Sequence, residues 1–276
     1  MSRYAVLGSP IAHSKSPTIH TLFAEQTKQE LQYEAIKVEA DEFDSFVLDF
    51  FASGGQGLNI TVPHKERAYA LATNLEPRAK LAGAVNTLFL NSGQEICGDN
   101  TDGPGLVRDI QVNLGLSIKG KNLLVVGAGG AVRGALVSLI EAEPAAITLV
   151  NRTISNAQRL QHTFEKEFDI SVAEFDSLEG SFDIIINGTS LSLSNEIPAL
   201  TPSHLSNNSC CYDMMYKNED TSFVTWAKQN GATLAVDGVG MLVEQAAESF
   251  LRWRGVRPET SSIISQLSQS SQLSKQ

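Results

Sequence analysis

The chain has 276 residues, a length that predicts one large or two modest α/β domains, and we favour two. Hydrophobic residues make up 42% and charged residues 19%, values typical of a protein that folds around a substantial core. The net charge of −10 argues against nucleic acid or an anionic membrane as a partner, because both bind basic surfaces. No apolar run reaches the roughly 18 residues that span a bilayer, and the first residues do not resemble a signal peptide, so we expect a cytoplasmic protein. Three cysteines without metal-ligand spacing predict neither a disulfide framework nor a metal site.

The first part of the chain alternates between strand and helix patterns. Strands are predicted over residues 4–7, 33–38 and 58–62. One helix begins at Ser16-Pro17, because a proline after a serine cap is a helix start signal. A second helix follows the capping residue Asp41 and carries an apolar stripe over residues 43–51. Two strand-like runs between 85 and 97 flank the turn Asn91-Ser92-Gly93, which predicts an antiparallel hairpin.

A second α/β series begins near residue 121. It contains a strand over 122–126, a glycine-rich turn, a helix to residue 142 and strands over 146–150, 184–187, 209–213 and 233–236. A doubly wound parallel sheet accounts for these strands best. The last long helix, over 239–254, is a candidate to return to the first domain. Residues 261–276 are rich in Ser and Gln, and their last part is predicted to fray.

The glycine-rich turn indicates a dinucleotide site. Gly127-Ala128-Gly129-Gly130-Ala131 follows the strand 122–126 directly, so backbone amides at a helix N-terminus can meet a pyrophosphate. The motif alone is weak, since its sixth position is Val132 rather than Gly or Ala. Arg152 makes the prediction of a dinucleotide site more specific. The next strand ends in Asn151-Arg152-Thr153, at the place where an NAD-binding protein carries an acidic residue. An arginine there attracts the 2′-phosphate of NADP, and we therefore prefer NADP to NAD.

Polar clusters in the first domain predict a site for an anionic polyol. Ser14 and Ser16 stand at a helix N-terminus, where hydroxyls and free amides favour a carboxylate, although simple capping explains one serine. Lys65 opens another helix, where a cation is unfavourable, so it needs an anionic partner, and Asp102 is a candidate. His64 is another candidate for an acid–base group near Lys65, because the ordinary pKa of a histidine is near neutrality. Successive helical residues point about 100° apart, so His64 and Lys65 do not easily serve one spot.

Seven motifs together resemble the shikimate dehydrogenase family. They are PIAHSKSP at 10–17, NITVPHK at 59–65, AVNTL at 84–88, GDNTDG at 98–103, the GAGGA turn, NRT at 151–153 and DGVGMLVEQA at 237–246. The resemblance implies two α/β domains, an N-terminal substrate domain and a Rossmann-type NADP-binding domain with a cleft between them. The substrate domain would comprise residues 1–102 plus 238–276, and the NADP domain residues 103–237.

The resemblance also implies an activity and a set of site residues. The reaction is the NADP-dependent reversible reduction of 3-dehydroshikimate to shikimate, by a monomer or homodimer without a metal. The implied catalytic residues are Lys65, as proton donor, and Asp102, which orients it. The implied substrate-binding residues are Ser14, Ser16, Asn59, Thr61, Lys65, Asn86, Asp102, Tyr216 and Gln245. The implied cofactor-binding residues are Gly127, Ala128, Gly129, Gly130, Ala131, Asn151, Arg152, Thr153, Asn187, Thr189, Gly238 and Met241.

Some positions depart from the family pattern, and other functions stay open. Gly188 stands where Ala is common, and residues 191–194 lack the usual Gly. Quinate as substrate or NAD as cofactor is an alternative, against which Arg152 and the paired serines argue. A catalytically silent NADP-binding regulator is a second alternative. The presence of both Lys65 and Asp102 argues against it, because a sensor does not need a proton-transfer pair.

Overall fold

The structure, a computed structural model, describes residues 1–273 and the side chains of residues 1–269. It divides into two compact units. Unit 1 comprises Met1–Gly105 and Val243–Ile263, and unit 2 comprises Leu106–Leu242 with the described residues after Ile263. The sequence placed the domain boundaries after residue 102 and before 238, and that assignment of functional domains stays a prediction.

Unit 1 is built on a mixed sheet with helices. Its elements are β1 (Ser2–Gly8), α1 (Ser16–Thr27), β2 (Leu31–Lys37), α2 (Phe43–Ala52), β3 (Gly55–Ile60), α3 (Lys65–Leu71), β4 (Asn74–Leu75), α4 (Pro77–Ala82), β5 (Thr87–Leu90) and β6 (Ile96–Asp99). The strand order is β2-β1-β3-β5-β6-β4. β1 is parallel to β2 and β3. β5 is antiparallel to β6, as the hairpin turn predicts, and it is also antiparallel to β3, which was not predicted. The short β4 and α4 were not predicted.

Two predicted helix caps, at Ser16 and Asp41, are wrong. α1 begins at Ser16 itself, with Lys15 as the capping residue. The structure begins α2 at Phe43 with Glu42 as the capping residue, and Glu42 accepts no side-chain capping bond. Asp41 lies in the preceding turn, in which the Glu42 amide donates to the Glu39 carbonyl at 3.2 Å. The apolar stripe of the helix is nevertheless in the core, since Phe43, Val47 and Phe51 are buried.

Unit 2 contains a wholly parallel sheet. Its elements are the end of α5 (Asp102–Arg108), a π-helical turn at Asp109–Asn113, β7 (Asn122–Val126), α6 (Gly130–Glu141), β8 (Ala146–Val150), α7 (Ile154–Phe164), β9 (Ile170–Ala173), β10 (Phe182–Asn187), β11 (Leu205–Asp213), α8 (Ser222–Gln229) and β12 (Leu234–Val236). The strand order β12-β11-β10-β7-β8-β9 is that of a doubly wound dinucleotide-binding sheet. From β7 the strand order runs to one edge of the sheet through β8 and β9, and from β10 it runs to the other edge. In such sheets ligands bind where the strand order reverses, here between β7 and β10, outside the carboxyl ends of the strands.

Two helices close the chain. They are α9 (Val239–Arg254) and α10 (Ser261–Leu273). From Val243 onward α9 belongs to unit 1, whereas the described part of α10 from Ile264 onward belongs to unit 2. Trp253 anchors α9 in unit 1, because its indole donates to the Leu88 carbonyl at 3.2 Å and lies where a side chain on Gly57 would be. The predicted frayed end lies partly outside the described residues. Among residues 1–273, no helix combines the length and apolar character needed to cross a membrane.

An aromatic cluster behind β1 and β2 encloses a histidine. The ring of His20 is fully buried and stacks on that of Tyr33, with centroids 4.1 Å apart. Phe250 and Trp253 of α9 stand within about 6 Å of the same ring. Burial lowers the pKa of His20 from 6.5 to about 3, so the side chain is neutral in the folded protein near neutral pH.

This burial predicts a loss of stability on acidification. Below pH 6.5 the unfolded chain protonates His20, but the folded protein does not until about pH 3, so the free energy of unfolding falls as the pH is lowered through that window. Between about pH 7 and pH 5 we expect His20 to remove roughly 2 kcal/mol. The measurement is urea unfolding at both pH values, followed by Trp253 fluorescence in a Trp226→Phe background. His20→Phe should lose most of the pH dependence, whereas the exposed-site control His162→Gln should keep it; an unchanged dependence in His20→Phe would contradict the assignment.

Candidate active site and cofactor site

In unit 1, Lys65 and Asp102 form an ion pair. Lys65 is the first residue of α3 and Asp102 the first of α5. The Lys65 ammonium donates to Asp102 Oδ2 at 2.5 Å, and the two side chains are 19% and 9% exposed. The carboxylate therefore offsets the unfavourable position of a lysine at a helix N-terminus. Partial burial strengthens the attraction, while the remaining exposure leaves the ammonium accessible to a small molecule.

Asn86 fixes the other oxygen of the Asp102 carboxylate. Its side-chain nitrogen donates to Asp102 Oδ1 at 2.8 Å and reaches Gln245 Oε1 at 3.4 Å. Its side-chain oxygen accepts from the Thr101 amide at 2.9 Å. Both carboxylate oxygens of Asp102 are thus held. The structure brings together four predicted site residues, which lie in α3, α5 and α9 and directly before β5.

A second chain of hydrogen bonds connects the paired serines to this cluster. Ser14 Oγ accepts from the Ser16 amide at 3.3 Å, and the Ser16 side chain bonds with the buried Tyr33 hydroxyl. Tyr33 donates to Asn59 Oδ1 at 2.7 Å, and Asn59 Nδ2 donates to the Asn86 carbonyl at 3.2 Å. Burial raises the pKa of Tyr33 well above its usual value, so its hydroxyl stays a donor.

Asn59 and Thr61 differ in how much they can offer a ligand. Asn59 is 6% exposed, and both ends of its amide are already bonded within the protein. Thr61 follows β3 and is half-buried, with its methyl group against Gly8. Contact of either residue with a substrate stays a prediction.

His64 points away from the ion pair and into the core. Its Nε2 lies 2.7 Å from the Val38 carbonyl, its ring stacks on Phe43 with centroids 4.8 Å apart, and it is 2% exposed. A side chain held in this way is structural. The geometry therefore disfavours His64 as the acid, because its ring is buried and bonded in the core.

Sequence reasoning missed a cluster of buried hydroxyls behind the site. Ser249 Oγ lies 2.9 Å from Asn59 Nδ2, 2.8 Å from Thr87 Oγ1 and 3.2 Å from Thr101 Oγ1. Ser249 also donates to the Gln245 carbonyl one turn earlier in α9. The i, i+4 spacing of Gln245 and Ser249 was the available signal, because it places both residues on one helix face.

In unit 2, the glycine-rich turn presents free amides to open space. Gly127 has a φ of +109°, which favours glycine, and its amide donates to the Val150 carbonyl at 2.8 Å. A side chain on Gly129 or Gly130 would meet nothing within 4 Å. α6 begins at Gly130 without a side-chain cap, so its first amides are available to an anion. Ala128 and Ala131, the two other residues of the turn, are half-buried.

Arg152 stands at the same edge of the sheet as this turn. The register of β7 and β8 pairs Val126 with Val150, so the segment after β8 lies beside the turn. Asn151 Nδ2 donates to the Thr153 carbonyl at 2.8 Å, which shapes the segment. Arg152 is exposed and, within the described part of the chain, has neither a hydrogen bond nor an ion pair. Its guanidinium is therefore free to bind a phosphate.

A buried carboxylate that the sequence analysis missed supports the segment after β10. Asp213 is fully buried and accepts from Asn187 Nδ2 at 3.1 Å, Ser192 Oγ at 2.5 Å and Thr221 Oγ1 at 2.6 Å. Asn187 in turn accepts from the amide and the hydroxyl of Thr189. Asp213 ends a predicted strand, which was the only signal for it.

The start of α9 is held by a second buried acid in unit 2. The Tyr212 hydroxyl donates to Asp109 Oδ2 at 2.6 Å and accepts from the Met241 amide at 3.1 Å. Gly238 donates to the Met215 carbonyl at 3.0 Å, and a side chain on Gly238 would lie 2.3 Å from the Met214 carbonyl oxygen. The backbones of Gly238 and Met241, both predicted cofactor residues, are therefore fixed.

Tyr216, which was predicted to contact the substrate, follows β11 and is half-buried. Burial and the nearby Asp237 carboxylate raise the pKa of its hydroxyl. The hydroxyl therefore stays protonated near neutral pH and can donate a hydrogen bond.

Three family models match the chain in sequence order. They are the shikimate dehydrogenase substrate binding domain over residues 6–88, the shikimate / quinate 5-dehydrogenase over 109–207 and the shikimate 5'-dehydrogenase C-terminal domain over 238–267. A shikimate dehydrogenase (NADP(+)) from Alkalilimnicola ehrlichii is 53% identical over 96% of this chain and 98% of its own. The chain belongs to the shikimate dehydrogenase family.

Two solved structures show how far this shikimate dehydrogenase family fold extends. The Ael1 enzyme from Pseudomonas putida is 44% identical, with a TM-score of 0.92 over 97% of this chain and 98% of that one. The shikimate 5-dehydrogenase from Thermus thermophilus, solved in complex with NADP(H) and shikimate, is 29% identical with a TM-score of 0.86 over 99% of both chains. The two α/β parts and the dinucleotide-binding sheet predicted from the sequence are confirmed.

Proposed function

We propose that the chain catalyses the NADP-dependent, reversible reduction of 3-dehydroshikimate to shikimate, a step towards chorismate and the aromatic amino acids. It acts in the cytoplasm as a monomer or homodimer. The observation that carries the proposal is the Lys65–Asp102 pair, fixed by Asn86 in a chain of this family. An ammonium held 2.5 Å from an immobilised carboxylate has the geometry of a proton donor that is oriented in advance.

The cofactor residues have the features that a dinucleotide phosphate requires. The open turn at Gly129 and Gly130 and the uncapped α6 supply amide donors for the pyrophosphate. Arg152, with Asn151 and Thr153 on either side, would bind the 2′-phosphate. Asn187, Thr189, Gly238 and Met241 would line the nicotinamide side. When bound there, NADP would supply the hydride acceptor, and NADPH the hydride donor.

The substrate is an anionic polyol, and the unit 1 side chains divide between its two kinds of group. Ser14 and Ser16 would bind the carboxylate at the N-terminus of α1. The hydroxyl groups would bind Lys65, Asn86, Asp102 and Gln245, with Tyr216 and Thr61 as further contacts. Asn59, whose amide is bonded within the protein, would act mainly by holding Asn86 and Tyr33 in place.

The chemistry of this chain's own residues is proton transfer and charge stabilisation. During reduction the ketone oxygen gains negative charge, which the Lys65 ammonium stabilises before it donates a proton to that oxygen. In the reverse direction neutral Lys65 takes the hydroxyl proton. Asp102 keeps the lysine nitrogen in one position, and Asn86 prevents the carboxylate from turning away.

The activity is tested by following the absorbance of reduced nicotinamide with purified protein in four mixtures, which combine shikimate or quinate with NADP or NAD. We expect reduction with shikimate and NADP alone. Turnover of quinate, or with NAD, would place the chain among enzymes of broader specificity. No turnover in any mixture, from folded protein that binds NADPH, would contradict the proposal and favour a silent regulator.

Lys65→Ala should lower the turnover number by roughly two to four orders of magnitude, because it removes the proton donor and the charge at the ketone oxygen. Steady-state kinetics in both directions measures the effect. Lys80→Ala is the matched control, since Lys80 is an exposed lysine of unit 1 in α4. An unchanged turnover number in Lys65→Ala would remove this residue from the chemistry.

Arg152→Ala should raise the Michaelis constant for NADP roughly tenfold and that for NAD little, because only NADP carries the 2′-phosphate. The comparison needs both cofactors at saturating shikimate. Arg159→Ala, at another exposed arginine in the following helix, should change neither constant. Equal effects of Arg152→Ala on the two cofactors would show that the arginine does not read the phosphate.

A further inference from the structure

Val132 is an unusual residue for its position. It stands in the first turn of α6, at the sixth position of the dinucleotide fingerprint, where a small residue normally permits close packing of helix and strand. Val132 is nevertheless fully buried. A branched side chain in this position needs space that the fingerprint does not provide, so another residue has to be smaller.

Gly188 supplies that space. It follows β10, and its amide donates to the Val126 carbonyl at 2.8 Å, directly before the glycine-rich turn. A Cβ on Gly188 would lie 2.2 Å from Val132 Cγ2 and 3.1 Å from the Met214 sulfur. A separation of 2.2 Å is far inside van der Waals contact, so the valine occupies the volume that any side chain at 188 would need.

The same junction brings two cofactor segments into contact. A Cβ on Gly127 would lie 3.2 Å from Thr189 Cγ2 and 3.3 Å from the Gly188 carbonyl carbon. The glycine-rich turn thus packs against residues 188–189 on one side, and Val132 packs against Gly188 on the other. Movement of either segment would shift the other.

We propose that Gly188 is a positioning residue for the cofactor site, complementary to Val132, and that the pair sets the spacing between the glycine-rich turn and the Asn187–Thr189 segment. The proposal rests on the proposed NADP-dependent function. Val132 and Gly188 both depart from the usual pattern, and the larger side chain at 132 is compensated by the missing side chain at 188. Either departure alone would leave the junction overpacked or hollow.

The expected effect of Gly188→Ala is a displacement of the first turn of α6. Interiors do not absorb an extra methyl group at this distance without moving side chains and backbone. The α6 amides and Thr189 would then no longer fit one dinucleotide, and the dissociation constant for NADPH should rise about tenfold. Val132→Ala leaves a cavity but no clash, so it should lower the melting temperature while the dissociation constant changes less than about threefold.

The test is a double-mutant cycle on the full chain. Gly188→Ala, Val132→Ala and the double variant are compared by NADPH fluorescence titration and by melting temperature. The double variant should recover the wild-type dissociation constant within about threefold, because the lost valine methyls make room for the new one. Gly188→Ala combined with Val137→Ala is the matched control. It removes the same volume from another buried site of α6 and should not restore binding.

Three outcomes would overturn the proposal. They are wild-type NADPH affinity in Gly188→Ala, a lowered melting temperature without weaker binding, and equal rescue by Val132→Ala and Val137→Ala. Failure of the proposed function would be distinguishable, because it appears in the wild-type protein as absent shikimate oxidation. Failure of the present proposal appears only in the comparison of variants.

Discussion

The unit 1 site depends on the hydrogen bonds that the Asn86 side chain makes. Asn86 is 3% exposed, its nitrogen contacts the Asp102 carboxylate, and its oxygen accepts from the Thr101 amide in the same loop. An amide in this environment has no water to replace a lost partner, so its orientation is strongly determined. Because the carboxylate holds the Lys65 ammonium, the position of the proposed proton donor is set by a neighbour that carries no charge.

Unit 2 has a comparable arrangement, but there the buried orienting group is charged and the groups that it orients are neutral. There the buried group is the Asp213 carboxylate, and the groups it orients are neutral donors on the segment that carries Asn187 and Thr189. A buried carboxylate is costly unless several donors surround it, and Asp213 has donors from three side chains and from the Met215 amide. In both units a fully bonded polar residue lies behind the more exposed groups that would meet the ligands.

The sequence could predict what is local. Apolar periodicity and turn residues gave most strands and helices, and the unfavourable position of Lys65 led to Asp102. The periodicity missed β9 because only Ile170 of that edge strand is buried, which leaves little pattern. It also missed Ser249, whose partner Asn59 is 190 residues away in the chain. Val132 and Gly188 were each recognised as unusual, but their complementarity depends on a distance that no sequence pattern contains.

The candidate anion sites contain few cations, in a chain whose net charge is −10. Against an acidic protein's own field, backbone amides and hydroxyls bind an anion without adding a charge that must be desolvated. Lys65 and Arg152, the two cations assigned to these sites, lie in different surroundings. Lys65 is largely shielded and paired, so its interactions are strong and little affected by salt, whereas the exposed Arg152 is screened by it. The proposed charge stabilisation during catalysis would therefore lie in the shielded position, and the proposed discrimination between cofactors would lie in the exposed one.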